Sequence, residues 1–410
     1  MERITKNEKL TDEEGVPPTL TGFAPAGVPR AIGSVIDTRR GGVRALRRAI
    51  EELPDAETAL TWLTKEVQAE QRQDVEVEVS SLEMDDAGHL HVDAIGDVMM
   101  TKTGFCQLLQ VLKAPPHAGT YLPAIPSHRR AKEVNAIIDD QARRRRVLVL
   151  RQRRDGGQDK PVVFAAVTRR YTAVDPDTVA LRLLEGGLAG MQQYGVEVVY
   201  SGERTAIRLF RHSETSSHEL AVNEAFASVV ELGLGDDKLS GLTVEVAAFR
   251  SLCRNLMLVA PDRQALYRAR HTGCHTDLVS GLLNCVQRGA ELLPQFLGRY
   301  TDARRNLVAN PEDVILHITG AESNRKSGAL VSLSNVRPQV MADRLLAAWT
   351  VESDASQSGI ANAVTRAAHS FHWSSIWDTR ELERQASHLL AAAPDRFSAI
   401  ALPPATGGAA

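Results

Sequence analysis

Alternating apolar and polar positions predict the strands of this chain. VEVEV at Val75–Val79 alternates strictly, which is typical of a half-buried strand. The aliphatic run at Val147–Leu150 and the apolar run at Pro161–Thr168 flank the turn residues RDGGQDK, so together they predict a β-hairpin. The same reasoning predicts further strands at His89–Gly96, Gly195–Gly202, Arg204–Phe210 and Leu242–Phe249.

Apolar residues spaced three and four apart predict helices, which dominate after Thr276. Thr103 is expected to cap the helix that begins near Phe105, and Asp175 to cap the helix that has Pro176 in its first position. Pro294 is expected to kink the long helix that begins at Thr276. The predicted helices are Val43–Gln71 with a break at Pro54, Phe105–Leu112, Arg130–Gln141, Asp175–Leu184, Thr276–Arg305, Pro311–His317, Pro338–Thr350, Gly359–His369 and Thr379–Ala392.

Clustered strands followed by helices predict an α+β fold, with an antiparallel sheet, flanking helices and a helical C-terminal region. The expected domains are a flexible tail at 1–40, an α+β core at 41–275, a helical region at 276–402 and a flexible tail at 403–410. An apolar fraction of 43% is enough for a sizeable core.

No stretch of eighteen apolar residues occurs, so no membrane-spanning helix is expected. The polar start MERITKNEKLTDEEG has no apolar centre of the kind that a secretory signal needs. The four cysteines are irregularly spaced, and reduced thiols in a cytoplasmic protein are the simplest interpretation.

Charge is unevenly distributed along the chain. The net charge is −3, but Tyr121–Glu214 contains 17 Lys and Arg against 11 Asp and Glu, a local balance of +6. Arginine binds phosphate oxygens through its planar fork, and an unstacked base can lie on an aromatic ring. The predicted nucleic-acid-binding residues are Arg143, Arg144, Arg145, Arg146, Arg151, Arg153, Arg154, Arg169, Arg170 and Tyr171.

This hypothesis requires the guanidinium groups at the hairpin to converge on one exposed surface. The alternative is that the arginines are solvated at strand ends, where they would also protect a sheet edge from aggregation. Nearby acidic residues at Asp139, Asp140, Asp155 and Asp159 could neutralise several of them.

Three further motifs favour ordinary structural interpretations. HTGCH at His271–His275 contains zinc-ligand residue types, but no second ligand pair follows, so a polar loop is favoured. VILHITGAESNRKSG at Val314–Gly328 has Arg325 where a phosphate-binding loop needs glycine, which argues against ATP binding. EGGLAG follows a predicted helix and fits a helix end better than a dinucleotide site. No catalytic residue, metal or cofactor is therefore assigned.

Five segments of the chain share their order with the motifs of one protein family: Phe105–Ile125, Val147–Leu184, Ala248–Val259, Arg270–Leu282 and Ser358–Ser370. They resemble the phage- and plasmid-related family called domain of unknown function 932. In one departure from that family's pattern, Leu256 stands where the family has a glycine after asparagine. The resemblance implies an origin in a mobile element, and the family has no established activity.

The preferred expectation is a non-enzymatic protein that binds nucleic acid, with single-stranded DNA favoured, in recombination or replication of a mobile element. Self-assembly would help the protein to bind along a strand of nucleic acid, so a homo-oligomer is expected. Two alternatives remain: a host-interaction factor in defence or counter-defence, and an enzyme that uses polar residues around Cys253 and His271.

Overall fold

The computed structural model places secondary structure across most of the chain. The described residues are 23–24, 30–32, 48, 50–144, 146–154, 159–185, 194–211, 217–221, 224–235, 241–250, 255–259, 267–289, 293–323, 328–351, 353–373 and 375–392. The architecture is α+β, as the sequence predicts, with sheets that are almost entirely antiparallel and helices concentrated in the C-terminal region.

Strands and helices are numbered here in chain order. The strands are β1 (Arg30–Ile32), β2 (Gln73–Glu78), β3 (Leu82–Met84), β4 (Leu90–Val92), β5 (Gly96–Met100), β6 (Val147–Arg153), β7 (Val162–Val167), β8 (Tyr194–Ser201), β9 (Arg204–Arg211), β10 (Ser217–Ala221), β11 (Glu224–Gly235), β12 (Leu242–Arg250), β13 (Asn255–Val259) and β14 (Tyr267–Ala269). The helices are α1 (Ala56–Ala69), α2 (Lys102–Val111), α3 (Ala118–Tyr121), α4 (Ser127–Ala142), α5 (Pro176–Glu185), α6 (His275–Gly289), α7 (Leu293–Arg305), α8 (Pro311–Thr319), α9 (Pro338–Trp349), α10 (Gln357–Ser370) and α11 (Ile376–Ala391).

The chain forms two compact units. Unit 1 comprises Met1–Ala26 and Gln71–Arg169, and unit 2 comprises Gly27–Glu70 and Arg170–Ala410. This division differs from the predicted boundary at residue 275, because the C-terminal helices belong to the same unit as strands β8–β14. A sheet with a hydrophobic face must bury it against other elements, and here distant parts of the chain supply them.

Unit 1 contains a six-stranded sheet in the order β2-β6-β7-β5-β4-β3. The predicted hairpin is confirmed, since β6 and β7 pair antiparallel, while β5 joins β7 in parallel. Helices α2 and α4 supply Phe105, Leu108, Val134 and Ile138 to the core, which also contains alternate residues of β6.

Unit 2 contains eight described strands in one sheet, with β1-β8-β9-β11-β12-β13 in sequence and β10 and β14 attached to β11 and β12. Alternate residues of β8, β9, β11 and β12, including Val198, Ile207 and Leu232, form a core with α1 and α5. A second core brings together the C-terminal helices from α7 to α11.

Several predicted boundaries need correction. The tail at 1–40 is partly structured, because Phe23 bridges to Met100 and β1 pairs with β8. Thr101, rather than Thr103, caps α2, and its hydroxyl accepts a hydrogen bond from the Gly104 amide at 3.0 Å. Pro294 does not kink one long helix; it lies in the first turn of α7, where its missing N–H costs nothing.

The predicted strand His89–Gly96 contains β4 and the turn at 93–95, and it ends at the first residue of β5. That residue, Gly96, has a φ of +78°, a conformation that side chains with a Cβ disfavour. The C-terminal tail at 403–410 lies outside the described residues. Within the part of the chain that the structure describes, no helix is long and apolar enough to cross a membrane.

Candidate functional site: an arginine-lined cavity

The predicted arginines do not converge on one surface. Arg143 and Arg144 follow α4 and precede β6, whereas Arg154 follows the other end of β6. Seven residues of extended strand, at about 3.3 Å each, separate the two groups by roughly 20 Å. The expected single basic surface is therefore corrected to two smaller groups at opposite ends of a strand.

Two of the predicted phosphate ligands are buried. Arg151 and Arg153 are only 1% and 2% exposed, and both guanidinium groups lie over the Phe164 ring. The Nε of Arg151 also donates to Asp74 across the sheet at 2.9 Å. These contacts give Arg151 and Arg153 a structural role and keep their side chains away from an external phosphate.

The remaining predicted residues are dispersed or already have partners. Arg169 pairs with Glu76 at 2.7 Å, and Arg144 lies 3.9 Å from Asp140. Arg146 donates to the Val111 carbonyl at 3.2 Å. Arg145 lies outside the described residues. Arg170 and Tyr171 belong to unit 2, whereas the other predicted arginines belong to unit 1.

His271 serves as a clamp between backbone segments. Its Nδ1 lies 3.1 Å from the Thr172 carbonyl and its Nε2 lies 3.0 Å from the Gly235 carbonyl, while the ring stacks on Tyr171. Among the described residues no group of three potential metal ligands occurs, and Cys253 lies outside them.

A row of charged side chains crosses the unit 2 sheet at one level. Glu197 on β8 is directly opposite Arg208 on β9, which is opposite Glu231 on β11, which is opposite Glu245 on β12. Directly paired residues project from the same face of a sheet, so the four side chains are neighbours. Single charges within apolar strands were the signal for this row, but only the register aligns them.

Helix α11 covers the charged row with charges of its own. Arg208 donates to Glu231 and to Glu383 at 2.6 Å each and lies 3.4 Å from Glu197. Arg380 lies 2.9 Å from Glu231, and Arg384 lies 3.8 Å from Glu245. Arg380, Glu383 and Arg384 recur three and four apart, so they project from one face of α11.

The charges hold one another in the ionised form. Burial opposes ionisation of Glu231, but Arg380 and Arg208 outweigh it and lower its pKa to about 2. Burial likewise opposes ionisation of Glu383, whose pKa is nevertheless lowered by Arg208 and by His369, 2.9 Å away. Burial raises the pKa of Glu245. Buried ion networks are costly to assemble, and perturbed groups of this kind cluster at functional sites.

A cavity of about 560 Å³ lies beside the charged row. Strands β9, β11 and β12, the segment 332–334 and helix α11 form its walls. Arg204, Arg268, Arg380 and Arg384 all line it, against the carboxylates of Glu231, Asp378 and Glu381. We call this space the arginine cavity.

Arg380 is the distinctive residue of the arginine cavity. It is only 5% exposed and pairs by charge with Glu231, yet within the described part of the chain none of its three guanidinium nitrogens has a hydrogen bond of good geometry. Burial and the nearby Arg208 lower its pKa. A buried donor without an acceptor costs about 1–3 kcal/mol, and more when charged.

Trp377 forms the aromatic part of the wall. The guanidinium carbons of Arg204 and Arg380 lie 5.9 and 5.6 Å from its ring centroid, within the range of a cation–π interaction. The indole therefore helps to fix the direction of two of the four arginines.

A second cavity of about 440 Å³ adjoins the same network. Arg380 lines it as well, together with Glu197, Arg208, Glu383 and His369. The guanidinium of Arg208 already contacts three carboxylates in this space. The arginine cavity is lined by four arginines, against two in the second cavity, and is the stronger candidate site for an anion.

Comparison with protein-family models, curated proteins and solved structures gave no match. The resemblance to domain of unknown function 932 therefore stays a prediction, and the site is interpreted from its own chemistry.

Proposed function

We propose that this protein binds a nucleotide through its phosphate in the arginine cavity of unit 2. The nucleotide is either free or part of a single-stranded nucleic acid. The observation that carries the proposal is Arg380, a buried guanidinium on the cavity wall that lacks well-aligned acceptors.

An anion is the natural complement of this wall. Four arginines against three carboxylates leave the lining with a formal excess of one positive charge. Two of the carboxylates and one of the arginines also have partners outside the lining. Glu231 accepts from Arg208, Asp378 accepts from the Ser375 amide in a capping box, and Arg384 lies 3.8 Å from Glu245. Guanidinium groups bind phosphate oxygens through paired hydrogen bonds, which are stronger than neutral ones.

Size and composition favour a nucleotide over a bare ion. Cavities of about 300–1,000 Å³ accommodate small organic ligands. Trp377 offers an aromatic surface beside the arginines, and base–aromatic stacking contributes about 1–3 kcal/mol. The carboxylate of Glu381, half-exposed on the same wall, can accept hydrogen bonds from base or sugar donors.

The expected nucleic-acid function is kept in this proposal, with its contact surface moved from the hairpin to unit 2. Single-stranded DNA remains the favoured polymer, because a base must be unstacked from its neighbours to enter the cavity. The mobile-element origin and homo-oligomeric state remain predictions, and the mass of the purified protein in solution tests the latter.

The test is a titration of labelled single-stranded oligonucleotide across a range of salt concentrations. Replacing both Arg204 and Arg268 with alanine, at the half-buried and exposed part of the cavity, should weaken binding about tenfold and reduce the salt dependence. The matched control replaces Arg182 and Arg305, which are exposed on α5 and α7 of the same unit. Equal loss in both double variants would refute the cavity as the binding site.

A further inference from the structure

The arginines of the cavity are graded by depth. Arg268 is exposed, Arg204 is half-buried and the side chain of Arg384 is 42% exposed, whereas Arg380 is buried at 5%. A ligand that enters from solvent therefore meets the more exposed guanidinium groups first and the buried one last. The part of the ligand that reaches Arg380 must be its charged end.

An internal phosphodiester fits this gradient poorly. It carries a sugar on each side, so the strand would have to enter and leave the cavity around the buried guanidinium. A space of about 560 Å³ is the size of one small organic ligand and leaves little room for both segments. A terminal phosphate has a single connection and can point inward.

Charge also favours a terminal phosphate. A phosphate monoester carries about −1.5 to −2 charges near neutral pH and has three oxygen acceptors, whereas a diester carries −1. Arg380 shares its surroundings with Arg208, a like charge that disfavours the guanidinium cation. A dianion offsets that repulsion more fully than a monoanion and can satisfy more than one N–H group.

Resting on the proposed function, we infer that the arginine cavity recognises a phosphate monoester, with Arg380 as the terminal contact. The ligand is a nucleoside monophosphate or the phosphorylated end of a single strand. Both sources present the same chemical group, and a titration with each distinguishes them.

The experiment compares three oligonucleotides of one sequence with the full-length protein: 5′-phosphorylated, 3′-phosphorylated and unphosphorylated. A nucleoside monophosphate and its nucleoside are titrated in parallel. The expected result is binding at least about tenfold tighter for ligands with a monoester, and competition by inorganic phosphate. If a monophosphate binds but phosphorylated strands do not, the ligand is the free nucleotide, which also supports the inference.

Two variants test whether Arg380 is the residue responsible for the preference for a phosphate monoester. Arg380→Lys keeps the charge but loses the fork, so it should abolish the preference for the phosphorylated end. Arg268→Ala should weaken all ligands alike and leave the preference intact. If Arg380→Lys does not fold, the comparison of ligands on the wild-type protein is still decisive.

The experiment distinguishes failure of monoester recognition from failure of the proposed function. Equal affinity for all three oligonucleotides overturns monoester recognition and leaves the proposed function standing. Absence of binding to every oligonucleotide and nucleotide overturns both.

Discussion

The Nη2 of Arg208 on β9 lies 2.6 Å from the Oε2 of Glu383 on α11, and neither side chain is more than 3% exposed. This contact joins the middle of the unit 2 sheet to a helix 175 residues away in sequence. It also fixes the helix face that carries Arg380 and Arg384, so the shape of the arginine cavity depends on it.

Breaking this pair should strongly destabilise the protein. Arg208→Met removes the guanidinium that Glu383 and Glu231 share and leaves them with His369 and Arg380 as partners. Removing one member of a buried ion network costs about 3–5 kcal/mol. Urea unfolding followed by tryptophan fluorescence measures it, since Trp62, Trp349, Trp373 and Trp377 all belong to unit 2. Arg182→Met, in an exposed pair with Glu185, is the control and should have no measurable effect. Equal stability of the two variants would contradict this role of Arg208.

Acid should weaken the same network. A carboxyl group whose pKa is lower in the folded than in the unfolded state contributes stability above its unfolded pKa, and loses it as pH falls through the folded pKa. For Glu231 that window runs from 4.5 down to about 2 and is worth roughly 3 kcal/mol. The free energy of unfolding of unit 2, measured at several pH values, should fall across it.

The variant Glu231→Gln identifies the source of this acid sensitivity. It should lower stability at neutral pH, because Arg208 and Arg380 lose a counter-charge, and it should flatten the decline below pH 4.5. An unchanged slope would assign the acid sensitivity to other carboxylates.

The hairpin arginines and the arginine cavity show which parts of the structure could be predicted from the sequence. The hairpin β6–β7 follows from two apolar runs around turn residues, and α5 follows from Asp175 and Pro176, because both signals are local. The burial of Arg151 was not foreseeable, since its partner Asp74 is 77 residues away. Charge alone had suggested solvent exposure.

The arginine cavity could not be predicted for the same reason. Glu197, Arg208, Glu231 and Glu245 become neighbours only through strand register. A shift of one residue in any strand would move its charge to the opposite face. The local signal was a charged residue within each largely apolar strand, but the sequence does not specify the register that aligns these residues.

The hairpin arginines should affect stability rather than binding. Arg151→Ala removes a buried guanidinium and its partly buried hydrogen bond to Asp74, and should cost about 1–3 kcal/mol. Arg143→Ala and Arg154→Ala change exposed residues and should leave oligonucleotide affinity within about twofold. Thermal unfolding and the oligonucleotide titration check the two parts. If Arg143→Ala combined with Arg154→Ala caused a large loss of affinity, the hairpin arginines would again be the favoured nucleic-acid-binding surface.

Close packing in unit 1 makes one glycine sensitive. A Cβ on Gly104 in α2 would lie 2.7 Å from the Val163 carbonyl oxygen of β7, so Gly104→Ala should destabilise by about 1–3 kcal/mol. Gly119→Ala in α3 has open space around the new Cβ and serves as the matched control. Calorimetry on both variants measures the difference, and equal melting temperatures would show that β7 can move away.

Trp377 provides the most direct test of ligand binding in the arginine cavity, because its ring forms part of the wall beside Arg204 and Arg380. Fluorescence is recorded while a 5′-phosphorylated oligonucleotide is added to the wild type and to Trp377→Phe, with binding followed independently by anisotropy. We predict a saturable change in emission that Trp377→Phe removes while binding is still detected. Binding without any change in wild-type emission, or the same change in Trp377→Phe, would contradict it.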